Sequence, residues 1–418
     1  MIGLAVTLVL FPLIGWSIAR RSSGEAFLFG VGITGVLLFL AGLVHLPLVA
    51  ALAFIVALAI IRIATAARTS ENRQPATHNR FATAVMVLPL IALTFVAAIT
   101  PLSDFDGRAF WVLKAKGIAH ERAIDGPFFR GETLDPRNHY PILIPLDGAA
   151  ILGIAHDLDD RQIRWLYLGL LVALALLVRE RIGRLVSPRA GAWCAAILVW
   201  IPQFIVEGEG GALSAYSDIA LAAFAAGAFF ELVAAESPFR FGLWLVFLVF
   251  TKSEGLPFAM VFLIIGAFVF RKRIAIPAIA TTIAAIALFV WRARIPAGDE
   301  EDILRMLPTV FGKLHHLGDA LAAFPRHMLL FSRWGIFWIA VIIAAVLALR
   351  ADRRAARLAI SVIAAMLAVY AGVYVATEWV VSDLIAVTAD RLLMHVIAPA
   401  LFLLALGTRT TEPPPSVS

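Results

Sequence analysis

The chain has 418 residues, of which 61% are hydrophobic and only 15% charged, with a formal net charge of +6. That composition, with a mean hydropathy of +0.90, excludes an ordinary soluble domain, which is nearer half apolar and a quarter charged. Nucleic acid is not the partner the positive charge implies, because Lys and Arg stand in short clusters between apolar blocks, where they set membrane topology. One cysteine, Cys194, excludes an intramolecular disulfide and a cysteine metal cluster.

The apolar blocks approach twenty residues, the length of helix that crosses a ~30 Å hydrocarbon core. Lipid offers backbone groups no partner, so such blocks are predicted to be helical. In chain order the predicted spans are 1–19, 26–44, 46–61, 82–100, 162–178, 190–206, 217–235, 241–251, 256–270, 274–291, 332–349, 358–376 and 391–407. The first has no basic leader and no small-residue cleavage site before Arg20 and Arg21, so it reads as a retained helix rather than a signal peptide. The block 241–251 is short and runs into Thr251-Lys252-Ser253-Glu254-Gly255. One further stretch, 140–155, contains Pro141, Pro145 and a central Asp147, which suit a lipid-facing span poorly. If it does not span, the basic clusters near residues 20, 62–80, 179–189, 271–273 and 350–357 all fall on one side. The expected fold is therefore all-α: a polytopic transmembrane bundle of about thirteen spans with a juxtamembrane or re-entrant helix at 140–155. Its N-terminus is expected outside and its C-terminus in the cytoplasm. Extracytoplasmic loops, chiefly 101–161 and 292–331, are expected to form the active-site face. The segment 69–79 reads as a polar inside loop, and the proline-rich tail 408–418 as disordered.

Ionisable residues near a membrane are the informative ones. Asp104 and Asp106 follow the fourth predicted helix, with Phe110, Trp111, Lys114 and Lys116 beyond them on an interfacial helix. Asp-x-Asp at a helix start also suits simple capping. A second group is Asp135-Pro136-Arg137-Asn138-His139-Tyr140, in which His139 suits a proton carrier, a ligand or a solvated loop residue. A third joins Glu207 and Glu209 to Asp218, itself placed as an N-terminal cap would be. Lys252 and Glu254 form a fourth, able to neutralise each other at a helical hairpin bend. Asp383, Asp390 and Arg391 form the fifth, Arg391 opening the last span, from which it can snorkel outward. His315, His316 and His327 lack the spacing of a zinc site. Topology puts these groups at one membrane face, the arrangement of an enzyme that takes a lipid-linked substrate from the outer leaflet.

Five sequence pieces, in order, resemble the GT-C membrane glycosyltransferases, nearest to bacterial relatives of the protein mannosyltransferase and aminoarabinose transferase branch. "FDGRAFWVLKAKGIA" is similar to that family's WDAxxxWxLKAxxL, with Asp106 at the acidic position. "HYPILIPLDGAAILG", "SAYSDIALAAF", "TKSEGLPFA" and "VTADRLLMHVIAP" are similar to PxYPLLxPLL, YADxPLAxF, TKNEGLLFA and SLDRLLLQLxP. Phe105, Asn138-His139 and Ile219-Ala220 depart from the pattern. The resemblance divides the chain into N-terminal helices at 1–80 outside the match, a transmembrane catalytic module at 81–407 and the tail 408–418. It implies transfer of a sugar from a polyprenyl-phosphate donor to an unidentified lipid, glycan or protein acceptor at the extracytoplasmic face of a bacterial cytoplasmic membrane. By the same resemblance Asp106 is the expected base, with Asp104 in reserve. Arg391 and Lys252 are the expected phosphate partners. Lys114, His139, Tyr140, Asp218 and Glu254 are the remaining expected substrate contacts. No cofactor is demanded, although a divalent metal between Asp106 and Asp218 fits some family members. The competing reading is a transporter or flippase for a lipid-linked or small polar substrate, which the Lys252/Glu254 bend favours and the lack of a visible repeat does not.

Overall fold

A computed structural model describes residues 2–16, 18–19, 22–66, 79–131, 137–205, 210–296 and 307–409. The expectations for Arg20 and Arg21, for the loop 69–78, for Asp135, Glu207 and Glu209, and for the tail beyond 409 lie outside the described residues. Among those described the secondary structure is entirely helical, with no strand. The order is α1 (Ile2–Trp16), α2 (Ser23–Leu43), α3 (Leu48–Ala66), α4 (Arg80–Ile99), a π-turn (Gly107–Val112) entering α5 (Leu113–Glu121), α6 (Pro127–Arg130), α7 (Leu143–Ala155) and α8 (Asp160–Leu185). Then come α9 (Pro188–Trp200), α10 (Pro202–Ile205), α11 (Asp218–Ala234), α12 (Pro238–Thr251), α13 (Gly255–Phe270) and α14 (Ala275–Arg292). The chain closes with a 3-10 stretch (Leu307–His316), α15 (Leu317–Met328), α16 (Phe331–Trp334), α17 (Phe337–Ala351), α18 (Arg353–Ala376), α19 (Val381–Met394) and α20 (Ile397–Gly407).

Helix starts are written in the local sequence. Ser22, Ser187, Ser237 and Asp352 each accept a hydrogen bond from the backbone N–H three residues on, at 3.0–3.3 Å. Pro188 and Pro238 then open α9 and α12, where a missing N–H costs nothing.

Four helical segments are long and apolar enough to cross a membrane: Ser23–Leu43, Arg80–Ile99, Gly255–Arg292 and Arg353–Ala376. The pair α19 and α20, bent by 52°, makes up to five. The expected count of about thirteen is not reached at that length. Several of the apolar blocks are cut short by charges or turns. Helix α12 stops at Lys252 after 14 residues, α17 stops at Asp352 after 15, and α7 covers only 13. Helix α7, from the ambiguous 140–155 stretch, is buried along nearly its whole length, and neither oxygen of its Asp147 has a hydrogen-bond partner among the described residues.

The antiparallel hairpin of α11 and α12 organises the core. Trp244 of α12 lies over Gly227 of α11, where a Cβ would come within 2.5 Å of the indole, and packs at a tilt against Phe29 of α2, ring centroids 4.2 Å apart. At one end of this hairpin sits a buried ion cluster. The Arg181 guanidinium of α8 bonds both Glu25 of α2 and Glu231 of α11. Arg240 of α12 reaches Glu231 at 3.1 Å and Glu236 at 2.8 Å. The basic stretches around 179–189 and 350–357 share this end, where Arg409 donates to the Leu185 carbonyl at 2.5 Å. The other end carries the candidate site.

Removing one member of a buried ion pair typically costs about 3–5 kcal/mol, because the abandoned charge stays desolvated. Arg181→Met is therefore expected to lower the thermal unfolding midpoint of the detergent-purified protein clearly. Adding Glu25→Gln and Glu231→Gln to it should recover part of that loss. An unchanged midpoint in the single variant would mean the cluster does not hold these helices.

Candidate functional site

The segment between α4 and α5 bends sharply before the π-turn. The Asp104 carboxylate accepts from the Gly107 N–H at 3.1 Å, as a capping residue does. Gly107 is required there: a Cβ would fall 1.9 Å from the Ser214 carbonyl oxygen, so only glycine lets this turn press against the loop before α11. The turn thereby aims Asp106, about a quarter exposed, at Arg391, whose guanidinium lies 3.7 Å away. The same guanidinium stacks 4.9 Å over the Tyr216 ring. Burial, with the Asp106 carboxylate nearby, pushes the Tyr216 hydroxyl well above its ordinary range, so it remains a protonated donor.

Asp218 opens α11 but does not cap it. Its side chain, fully buried, accepts from the Lys252 ammonium at 2.9 Å, and the His395 imidazole lies 3.4 Å from the same oxygen. Lys252 also pairs with Glu254 at 3.0 Å. The tight α12–α13 turn that presents both residues depends on Gly255, whose Cβ would meet the Leu248 carbonyl oxygen at 1.7 Å. Gly210, at φ +84°, packs between the two halves of the site: a Cβ there would sit 3.3 Å from Asp218 and 3.2 Å from Arg391.

These groups surround one cavity of about 570 Å³, lined by Asp104, Asp106, Tyr140, Lys252, Glu254 and Arg391 among the expected residues. Asp218 stands directly behind Lys252. Two more expected contacts, Lys114 and His139, are also off the lining. Lys114 is fully buried and its ammonium bonds the Arg137 carbonyl. His139 holds the loop to the end of α14, its ring 3.1 Å from the Ile295 carbonyl and its own carbonyl accepting from Arg292 at 2.9 Å. Both residues shape the loop that delivers Arg137 and Tyr140. Arg137, 4.8 Å over the Phe110 ring, supplies a cation in their place. Burial raises the Tyr140 hydroxyl above its ordinary range, and it too stays a donor.

Sequence reasoning also passed over Tyr370 and Tyr374, one turn apart on α18, which line the cavity, and His395 behind it. Asp390 points elsewhere, held by His327 at 3.0 Å and Trp334 at 3.2 Å. Among the described residues no cluster of three or more His, Cys, Asp or Glu could hold a metal ion. Asp106 and Asp218, the pair considered for one, each face a side-chain cation already. Among the described residues, the buried atoms at the site without a hydrogen-bond partner include Arg391 Nε, Glu254 Oε2, Asp218 Oδ2 and His395 Nε2. No protein-family model, characterised protein or solved structure matches the chain.

Gly107→Ala is expected to destabilise the protein by about 1–3 kcal/mol through overpacking and to displace the Asp106 turn. Gly153→Ala, in α7 with nothing within 4 Å of the new Cβ, should be neutral or stabilising by up to ~1 kcal/mol. Paired thermal-shift measurements decide this, and equal effects would contradict the close approach at Gly107.

Proposed function

We propose that this chain is an integral-membrane glycosyltransferase of the extracytoplasmic face, moving a sugar from a polyprenyl-phosphate donor to an acceptor. The observation that carries this reading is the convergence of carboxylates and cations from four separate parts of the chain on one cavity: Asp106, Arg137, Lys252 with Glu254, and Arg391. A sugar phosphate needs both kinds of group. Its leaving phosphate needs cations, best met by the fork of an arginine. Its acceptor hydroxyl needs a carboxylate within hydrogen-bond reach. Arg391, with its unpartnered Nε, and Lys252 take the phosphate. Asp106, the most open of the carboxylates here, takes the acceptor proton, and the transition state is oxocarbenium-like as in other glycosyl transfers. Glu254, with one unpartnered oxygen, and Asp104 bind sugar hydroxyls. Asp218 acts through Lys252, and Lys114 and His139 through the loop they hold.

The cavity mouth suits a polyprenyl tail. Phe105 is 75% exposed, Val387 63% and Trp379 57%, all on the lining. Apolar side chains presented at the edge of a charged cavity fit a substrate that is half lipid and half polar head group. The multi-pass placement in a bacterial cytoplasmic membrane, with the N-terminus outside and the C-terminus cytoplasmic, belongs to this reading, the short apolar helices completing the bundle beside the long ones.

A transporter or flippase draws support from one feature, the charged pair at the break between α12 and α13, since transporters place ionisable residues on interrupted helices. Release of radiolabelled sugar from a polyprenyl-phosphate donor separates the two. Wild type should turn over or hydrolyse the donor, and Asp106→Asn should reduce this at least about a hundredfold, the scale of a lost general base. No donor consumption by well-folded wild type would sink the transferase reading and favour transport.

Arg391→Gln should weaken binding of polyprenyl phosphate itself by about 10–100-fold, the loss of charge-assisted hydrogen bonds worth ~1.5–3 kcal/mol. Titration in detergent micelles measures this, and an unchanged affinity would remove Arg391 from the phosphate site.

A further inference from the structure

Behind the cavity wall runs a chain of buried polar side chains drawn from four helices. Tyr370 of α18 lies on the lining, and its hydroxyl bonds His395 Nδ1. His395 stands in the break between α19 and α20, 1% exposed, with Phe258 edge-on at 5.8 Å. Its Nε2 lies 3.4 Å from Asp218 Oδ1, within ion-pair reach although it makes no hydrogen bond there, and that oxygen accepts from Lys252 at 2.9 Å. Lys252 returns to the lining beside Glu254.

The hydrogen positions follow from donor and acceptor chemistry. A neutral imidazole has one N–H and one acceptor nitrogen. Nε2 faces a carboxylate and must carry the proton, so Nδ1 accepts and the Tyr370 hydroxyl donates. The opposite tautomer would set a bare nitrogen lone pair against a buried carboxylate oxygen. An imidazolium would set a second buried cation beside Lys252 on the same Asp218 oxygen. Such a chain fixes the carboxylate, and the carboxylate fixes the ammonium. The residue that hydrogen-bonds the far side of a catalytic histidine or metal ligand, and so fixes its orientation, works by the same logic.

We propose that His395, held as its Nε2–H tautomer by Tyr370, is a positioning residue that sets the Asp218 carboxylate and through it the Lys252 ammonium at the cavity wall. The link from Lys252 to a phosphate rests on the glycosyltransferase reading; the tautomer and the positioning do not. The spectroscopic arm therefore stands alone. With 15N-labelled histidine, the His395 signal is identified as the one lost in His395→Gln, or in His395→Asn should the first fail to fold. It should show a protonated Nε2 and an unprotonated Nδ1 that accepts a hydrogen bond. Tyr370→Phe removes the donor and should shift that signal and admit the other tautomer. An imidazolium, an Nδ1–H form, or a signal indifferent to Tyr370→Phe overturns the proposal.

The second arm uses polyprenyl phosphate as probe. Tyr370→Phe should weaken its binding about three- to tenfold in wild type and not at all in a Lys252→Met background, as coupling through a shared network requires. Equal weakening in both backgrounds would make Tyr370 a direct contact and overturn positioning through Lys252. Absence of any probe binding to wild type would sink the donor-site reading, while the imidazole spectra still decide the role of His395.

Discussion

The α11–α12 hairpin is closed by ion pairs at both ends, and the placement of everything else depends on this. A charge inside a low-dielectric bundle survives only if paired and hydrogen-bonded. At one end Arg181 is enclosed by Glu25 and Glu231, which locks α2, α8 and α11 in register. At the other end Lys252 is enclosed by Asp218 and Glu254. The first cluster is nearly sealed, with Arg181, Glu25 and Glu231 all buried. The second opens to a cavity that Lys252 and Glu254 line. That asymmetry separates an element of stability from an element with capacity to bind.

The charge pattern within the cavity has a chemical meaning of its own. Asp106 and Arg391 lie 3.7 Å apart, too far for a good hydrogen bond and near enough to attract. A loose pair of this kind can exchange partners. On the glycosyltransferase reading proposed above, an incoming phosphate would draw the guanidinium and free the carboxylate for a hydroxyl, whereas a tight bidentate pair would resist both. Lys252 differs, being tied at 2.9–3.0 Å to two carboxylates. It contributes a fixed positive field more than a mobile contact. Electrostatic stabilisation of developing charge works best from groups that need not reorganise, which gives the tightly held lysine and the loosely held arginine different roles.

Much of the site was legible in the sequence because ionisable residues in an apolar chain are few and need a reason. Asp106, Lys252, Glu254 and Arg391 stand out on that ground alone, and they meet at one cavity. Residues that look ordinary in sequence were illegible. Tyr370 and Tyr374 sit in a long apolar helix, where tyrosine reads as core or belt, and His395 sits in an apolar run with no neighbour to mark it. His395 takes its place from Asp218, more than a hundred positions away, while Tyr370 bonds His395 and Tyr374 bonds Thr388 across a helix break that the sequence does not mark. Lys114 and His139 are the complementary case: each is close in sequence to the site, and each bonds a loop backbone carbonyl away from the cavity lining. The expected helix count is too high because it counts short blocks as spans: the helices at 241–251 and 332–349 are only 14 and 15 residues long and stop at Lys252 and Asp352, and the last span bends by 52° near residue 395.

Those interruptions and the cavity have one cause. A helix that stops in an apolar surrounding exposes backbone N–H or C=O groups that nothing there can satisfy, so such an end must gather polar side chains or water. Helix α12 ends beside Lys252, α11 begins at Asp218, and α19 breaks at His395, all against the same small volume. Three helix ends and their polar companions in one place are expensive as pure architecture, since a continuous apolar span would satisfy every backbone group internally. The interrupted helices α11, α12 and α19 thus bring Asp218, Lys252 and Arg391 to the site, and the long Arg353–Ala376 adds Tyr370 and Tyr374, whereas Ser23–Leu43 contributes no lining residue.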